Sequence, residues 1–454
     1  MPENALVYEI GSTTTLVNYF TDVDTEHPRF AGGAQAPTSV DQGDVTIGLL
    51  EARDALEAQI GSINPTKVLA TSSAAGGLRM SVHGLVHDMT VKAAKEAALG
   101  AGANITFLTS GKLRRTELRQ IKERKPNIFL IAGGVDFGER DTALHNIELL
   151  LNLDLGIPFI YAGNIENQEE IRLMFEEKGR EGDLFLCENV YPRLDQLNVE
   201  PTRAVIQDVF EAHITQAKGM AKIREAVDSH VIPTPGSVML ATKLLAEEFQ
   251  DVLTLDVGGA TSDVHSVTSG SEEIASISIS PEPEAKRTVE GDLGLFINRE
   301  NLLGYFVPEK LAQEADLAIE ALQYEIEHFH PIPQTPEAVR LSCALARKAV
   351  ELSVTRHAGQ FLDFYYSGGK RQGAQGKDLT MIRLVVGTGG ALTRLPCAKQ
   401  IMEDIPSMNK GDRLFPREGI RVLVDREYIM ASLGVLSMEY PEAALILLKN
   451  SLGI

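Results

Sequence analysis

One design of short strand, Gly/Ser/Thr turn and second strand is used twice in this 454-residue chain, and a duplicated hairpin restricts the fold more than any other feature. Near the start, Leu6-Val7-Tyr8-Glu9-Ile10 is β-prone, Gly11-Ser12-Thr13-Thr14 is a polar turn, and Thr15 to Phe20 is β-prone again. In the second half Val252 to Val257 leads into Gly258-Gly259-Ala260-Thr261-Ser262 and then Asp263 to Val267. The same unit at similar points of two halves reads as an internal duplication. Coincidence is the plainer alternative, because such turns between strands are common. In both copies an acid stands just before the glycines, Glu9 in the first and Asp256 in the second.

The rhythm changes between the halves. Ile105-Leu108, Ile128-Ile131, Pro158-Tyr161 and Leu184-Leu186 are short apolar strands, and amphipathic segments such as Glu117-Glu123, Thr142-Leu151 and Glu169-Glu176 alternate with them. Strand and helix in alternation imply a parallel sheet with covering helices. The expected organisation is therefore a first lobe over 1–88, an inserted α/β module with a helical return over 89–230, and a second lobe over 231–454, entered at Pro233 and Pro235. Within the second lobe, residues about 335–362 read as helix, Ser367 through Lys377 as a flexible loop, and Pro441 to Leu452 as a terminal helix. A strand at Ile382-Val386 leads into a third glycine turn, Gly387-Thr388-Gly389-Gly390.

Composition removes several functions. Lys and Arg number 43 against 63 Asp and Glu, a net charge of −20, which repels nucleic-acid backbones and argues against a basic membrane patch. The opening MPENALVYEI lacks a basic start followed by an apolar run, and no uncharged apolar stretch reaches the length of a membrane span, so a cytoplasmic protein is expected. The three cysteines, Cys187, Cys343 and Cys397, are far apart and odd in number, which predicts neither a disulfide framework nor a structural zinc site. Walker A, dinucleotide and nucleophile-elbow patterns all fail. His83 and His87 are four apart, but Gly84 intervenes and no third ligand offers itself, so packing or surface histidines are preferred to a metal pair.

The three glycine turns carry the chemistry. Glycines let successive backbone N–H groups point inward, and hydroxyls add donors, so such turns cradle phosphate oxygens without net positive charge. This assigns phosphate contacts to Gly11, Ser12, Thr13, Thr14, Gly258, Gly259, Ala260 and Thr261. An acid beside a phosphate is repelled unless a divalent cation lies between them, which suits Mg²⁺ held partly through water by Glu9 and Asp256; an acid there also orients an attacking water. The third turn has no such acid and suits the sugar and base end of a nucleotide, at Gly387, Thr388, Gly389 and Gly390. A charge between Leu255 and Val257 in a buried-type strand is costly without a partner, which favours a working role for Asp256.

Two Gly/Thr hairpins plus a late GTGG turn resemble the actin, Hsp70 and sugar-kinase superfamily, whose fold is two duplicated ribonuclease H-like α/β lobes closing on ATP-Mg²⁺. Gly434 is similar to the small residue of the helix linking those lobes. A narrower resemblance covers nearly the whole chain. Ala36-Pro37-Thr38-Ser39-Val40, Ala70-Thr71-Ser72-Ser73, Ile131-Ala132-Gly133-Gly134-Val135-Asp136, Glu188-Asn189-Val190-Tyr191-Pro192 and Pro281 through Asp292 look like the accessory proteins of glutamate (methylaspartate) mutase, the MutL or GlmL group unrelated to mismatch repair. The resemblance implies ATP-dependent maintenance of an adenosylcobalamin-dependent mutase or aminomutase, with damaged cobalamin ejected so that intact cofactor enters. The superfamily usually has Asp where this chain has Glu9, and often a polar residue near Leu16, so slow turnover or partial loss of nucleotide binding is implied. A small-molecule kinase on the same fold and a non-hydrolysing scaffold are the alternatives. Among other charged residues, Asp263 suits a cap or local pair as well as a site. Asp136, at a sheet's carboxyl edge, suits a plain turn as well as a ligand. Lys286, Arg287, Glu290 and Asp292 read as a solvated mixed-charge face.

Overall fold

The computed structural model describes residues 2–11, 14–73, 78–214, 219–228, 230–366 and 369–454. Its strands are β1 (Ala5–Ile10), β2 (Thr14–Thr21), β3 (Arg29–Pro37), β4 (Lys67–Ser72), β5 (Arg79–Gly84), β6 (Asn104–Ser110), β7 (Ile128–Ile131), β8 (Phe159–Tyr161), β9 (Leu184–Leu186), β10 (Val231–Pro233), β11 (Val252–Val257), β12 (Ser262–Val267), β13 (Ala285–Glu290), β14 (Gln360–Tyr366), β15 (Gly369–Gln375), β16 (Leu384–Thr388) and β17 (Arg421–Val424). The chain divides into two compact units. One comprises Met1–Leu240, Ser280–Pro283 and Ala431–Ala444; the other comprises Ala241–Ile279, Glu284–Met430 and Leu445–Ile454.

In the first unit one sheet runs β3-β2-β1-β4-β10, antiparallel from β3 to β1 and parallel onward. The helix Val45–Ile60 packs on β2 and β3 and starts at Asp44, whose carboxylate accepts the Thr46 N–H. In the second unit a sheet runs β13-β12-β11-β16-β17 with the same pattern of antiparallel and parallel pairs. Its long helix, Pro336–His357, packs on β12 and β13 and is capped by Thr335 with Pro336 at its first position. Two sheets of one order, each opened by a glycine-turn hairpin, are the duplication that the sequence displays.

A second sheet of the first unit lies between β4 and β10 in sequence and is wholly parallel, in the order β6-β5-β7-β8-β9. Its first strand is Arg79–Gly84, ahead of residue 89 where the sequence placed the start of the insert. The reason is local: β5 follows β4 after a short connection, and both are mostly buried six-residue strands of mixed polar and apolar residues that look alike in sequence. Lobe and insert also share a core. Leu6, Tyr8 and Ile10 belong to the same buried cluster as Met80, Val82 and the Ala-rich face of the helix Lys92–Gly100.

Two readings of the second unit change. The stretch taken as a flexible loop contains β15, which pairs antiparallel with β14, while Ser367 and Gly368 lie outside the described residues. Cys343 and Cys397 form a disulfide, against the expectation from their number and spacing. The helix Pro336–His357 packs against the helix Ala398–Glu403, and this brings Cα atoms 54 positions apart to 6.0 Å. Cys187 is the free cysteine. Among the described residues no helix is long and apolar enough to cross a membrane.

Candidate functional site

The two hairpins are closed by the same bond. Gly11 N–H donates to the Thr14 carbonyl at 3.0 Å, and Gly258 N–H donates to the Thr261 carbonyl at 3.0 Å. A Cβ on Gly11 would stand 2.7 Å from the Thr14 oxygen, so that turn has no room for a side chain. Ser12 and Thr13, assigned to phosphate binding from sequence, lie outside the described residues. In the second hairpin the carbonyls are turned to one side. Gly258 O accepts from Leu295 N, Gly259 O from Phe296 N and Ile297 N, and Ala260 O from Asn298 Nδ2, at 2.8–3.1 Å. In a trans peptide the N–H points opposite to the C=O. The amides of Gly259, Ala260 and Thr261 therefore face away from residues 295–298, as an anion-binding turn requires.

The third turn continues β16 into the helix Gly389–Arg394. Gly389 has φ +80°, a conformation that L side chains rarely adopt, and a Cβ there would run into the Asp256 carboxylate. Asp256, half-buried in β11, is thus in contact with the third turn, and it pairs in register with Thr388. Asp425 fixes this arrangement. Buried at 1% exposure, it accepts four bonds: from Thr388 Oγ1 (3.0 Å), Met430 N (2.9 Å), Ile429 N (3.2 Å) and Ser451 Oγ (2.6 Å).

One cavity of about 220 Å³ brings these turns together. Gly258 and Gly259 line one side, Gly390, Ala391 and Arg394 another, and Phe296, Phe329 and Pro331-Ile332-Pro333 give it an apolar wall. The Arg299 guanidinium lies 5.9 and 5.8 Å from the ring centres of Phe296 and Phe329. Ser342 and Pro396, each the neighbour of a disulfide cysteine, also line the cavity, so the bridge ties two of its walls. Phe296, Phe329, Ile332 and Arg394 were not found from sequence; the Pro-punctuated run Phe329 to Pro333 was the signal available. A larger hollow of about 540 Å³ lies between the helices Asp141–Leu151 and Gln168–Glu176, but Asp141, Glu148, Glu170 and Glu177 on its lining repel phosphate.

Glu9 stands in a different setting from Asp256. It is buried at 5%, and its Oε1 accepts from Ser432 N (3.0 Å), Ser432 Oγ (2.6 Å) and Asn18 Nδ2 (3.4 Å). It therefore anchors the helix Met430–Leu436, in which Gly434 lies so close to the Ser237 carbonyl that a Cβ would overlap it. Asp263 pairs locally: its Oδ1 accepts from Arg287 Nε and Nη2, at 3.0 and 2.5 Å, and its Oδ2 from Thr261 Oγ1. The charged run after Pro283 is not a solvated face. Lys286 and Arg287 are buried, Lys286 donating to the Thr268 and Glu284 carbonyls, while Glu290 and Asp292 both hold Arg356. Lys286 and Arg287 are neighbours on β13 and so face opposite sides, yet both are buried, so both faces of the strand are covered there and the charges must be paired inside. Asp136 accepts from Ile165 N and Asn189 Nδ2, stitching the loops after β7, β8 and β9. His83 and His87 form no pair: His83 is buried between Ser81 and Thr109, and His87 is exposed. Among the described residues, no group of three or more His, Cys, Asp or Glu is arranged to hold a metal ion.

Two sheets of one order, each opening on a glycine turn, define the duplicated ribonuclease H-like fold of the actin, Hsp70 and sugar-kinase superfamily. The chain belongs to the MutL protein family, whose sequence model matches residues 5–452; it is not the mismatch-repair protein. Protein MutL of Clostridium tetanomorphum is 34% identical over 465 residues, covering 98% of each chain. Among solved structures, diol dehydratase-reactivating factor in its nucleotide-free form is 11% identical, covers 96% of this chain and 100% of its own, and has a TM-score of 0.37. Nucleotide-free acetone carboxylase is 10% identical, with 95% and 70% covered and a TM-score of 0.40. At that distance neither likeness bears on activity.

Proposed function

We propose that the chain binds ATP-Mg²⁺ and hydrolyses it to drive cofactor exchange in an adenosylcobalamin-dependent mutase or aminomutase of the glutamate mutase type. The observation that carries the reading is the single cavity shared by the second phosphate turn and the adenosine turn, with an apolar wall suited to a purine. In this reading the backbone N–H groups of Gly259, Ala260 and Thr261 receive phosphate, and the first turn, Gly11 to Thr14, is assigned the same task by its sequence. Gly387 to Gly390 hold the ribose and base against Phe296 and Phe329. Mg²⁺, when bound, spreads phosphate charge and helps to align an attacking water. Asp256 and Glu9 are the acids assigned to it, partly through water. Glu9 has Oε1 committed to Ser432 and Asn18, so its main task is to tie the helix Met430–Leu436 to the first hairpin. The longer Glu side chain and the apolar Leu16 beside it fit a slow, switch-like turnover.

The test has two arms. ATP hydrolysis is measured with and without a candidate mutase, for the wild type and Asp256→Ala. Separately, a mutase inactivated by cofactor damage is mixed with the chain, ATP and fresh adenosylcobalamin. The reading predicts turnover that the client stimulates and Asp256→Ala removes, and recovery of the mutase above a control without the chain. Phosphate transferred to an added hydroxyl compound, or no recovery, contradicts it.

A further inference from the structure

The cavity beside the second and third glycine turns is graded from rim to floor. Gly259, Ile332, Arg394 and Pro396 are exposed and form its rim. Leu295, Ser342 and Leu395 are buried, at 8%, 4% and 8% exposure, and form its inner end. Polar side chains on the lining are few. One is Arg394 at the rim, its guanidinium 5.9 Å from the ring centre of Tyr428. The other is Ser342, on the floor between the leucines.

The Ser342 hydroxyl has no hydrogen-bond partner among the described residues, although the residue is more than nine-tenths buried. Ser353, on the same helix Pro336–His357, shows the ordinary arrangement: its Oγ donates to the Val350 carbonyl at 3.2 Å. A buried hydroxyl left unpaired costs free energy, and native structures seldom keep one without a use. Ser342 is also held firmly in place. Its neighbour Cys343 is bonded to Cys397, which adjoins Pro396 on another wall, so the turn of helix that carries the hydroxyl is pinned.

These features state what the floor accepts. The group that reaches it has apolar faces, to lie among Phe296, Phe329 and the leucines, and one hydrogen-bonding group at its leading edge. A purine nucleotide held by phosphate and sugar at the glycine turns enters with the ring edge farthest from the glycosidic bond. On adenine that edge carries the 6-amino group and a ring nitrogen that only accepts. On guanine it carries O6, the ring N–H and the 2-amino group. A single hydroxyl pairs the adenine amino group and leaves a lone pair unmet. With guanine it meets O6 and leaves N–H donors against Leu295 and Leu395, and orphaned buried N–H groups are the rarer and costlier fault.

We propose that Ser342 selects the base, its Oγ accepting a hydrogen bond from the 6-amino group of adenine. The proposal rests on the nucleotide reading of this cavity and adds to it which base is taken and which side chain chooses it.

The test is calorimetric titration of the full chain with the diphosphates of adenosine, purine riboside and guanosine, each with Mg²⁺, so that no turnover intervenes. Purine riboside differs from adenosine in lacking the 6-amino group. The wild type is compared with Ser342→Ala, in which the better helix former keeps the helix intact; urea unfolding checks that both are folded. In the wild type, loss of the 6-amino group should weaken binding about 3- to 10-fold. Ser342→Ala should weaken binding of the adenosine compound by the same factor. The variant should bind the purine riboside compound as the wild type does, because the two changes remove one contact. The guanosine compound should bind the wild type about 10- to 100-fold more weakly than the adenosine one. Equal binding of the adenosine compound by wild type and variant, losses that add instead of coinciding, or guanosine and adenosine compounds bound alike, overturns the proposal and leaves the nucleotide reading standing. A wild type that binds none of the three removes both.

Discussion

Substitution at Gly390 separates the cavity from the fold. A Cβ at this position meets nothing within 4 Å, yet Gly390 lines the cavity of about 220 Å³. Taking about 30 Å³ per water, that space holds about seven waters, so a benzyl side chain entering it occupies much of the room a purine needs. In Gly390→Phe the base loses its stacking contact, worth about 1 kcal/mol, and about 100 Å² of apolar burial, worth about 2.5 kcal/mol. The sum corresponds to a loss of affinity of about 100- to 1000-fold. Gly390→Ala adds only the Cβ and gains up to about 1 kcal/mol of helix propensity, so it should bind as the wild type does. The assay is calorimetric titration with ATP-Mg²⁺, with urea unfolding in parallel to show that all three proteins are equally folded. Binding by Gly390→Phe at wild-type strength would refute the placement of the adenosine end.

The remaining predictions concern the supports of the two units. Asp425→Asn sets an amide N–H₂ against one backbone N–H and one hydroxyl; the hydroxyl can rotate to accept, so one donor–donor clash remains, which should cost about 1–3 kcal/mol in urea unfolding and weaken nucleotide binding through Thr388, and a loss below about 0.5 kcal/mol would show that the network matters little. Gly434→Ala sets a propensity gain of about 1 kcal/mol against overlap with the Ser237 carbonyl, where overpacking costs about 1–3 kcal/mol or more; backbone cannot yield as a side-chain end can, so net destabilisation is expected, and a raised unfolding midpoint would contradict it. Burial pushes His83 down to about 3 and His265 and His357 well below their ordinary value, so each stays neutral when folded while the unfolded chain takes up a proton near pH 6.5. Their contribution is complete above that pH and is lost as pH falls, at about 1.4 kcal/mol per unit for each histidine. In His83→Gln the stability of the first unit should decline less steeply between about pH 6.5 and 5, by about 2 kcal/mol in total; an unchanged slope would refute the assignment.

The duplicated lobes were legible because each repeats a local signal, apolar strand then glycine turn, that owes little to distant contacts. The insert's helices were legible for the same reason, whereas its first strand was not. Gly76-Gly77 marks a turn between Ser72 and Arg79, but a turn alone does not tell whether the next strand joins the same sheet or starts another. The Cys343–Cys397 bridge depends on how two helices pack, which spacing does not encode. The same holds for the cavity wall: Phe296 and Phe329 come from loops far apart in sequence and meet only through the fold. The run Lys286 to Asp292 misled because mixed charge usually means solvent, and only the fold shows that both faces of β13 are covered at Lys286 and Arg287. Glu9 was recognised as special by its place before a turn, but its bonds to Ser432 lie 423 positions away.

Photolabelling addresses the nucleotide cavity most directly. The full chain is irradiated with 8-azido-ATP and Mg²⁺, digested, and the modified peptides are sequenced. Labelling confined to the stretches around Phe329 to Pro333 and Gly390 to Pro396, and suppressed by excess ATP, is the predicted outcome. Labelling that falls elsewhere, or that ATP does not displace, contradicts the account.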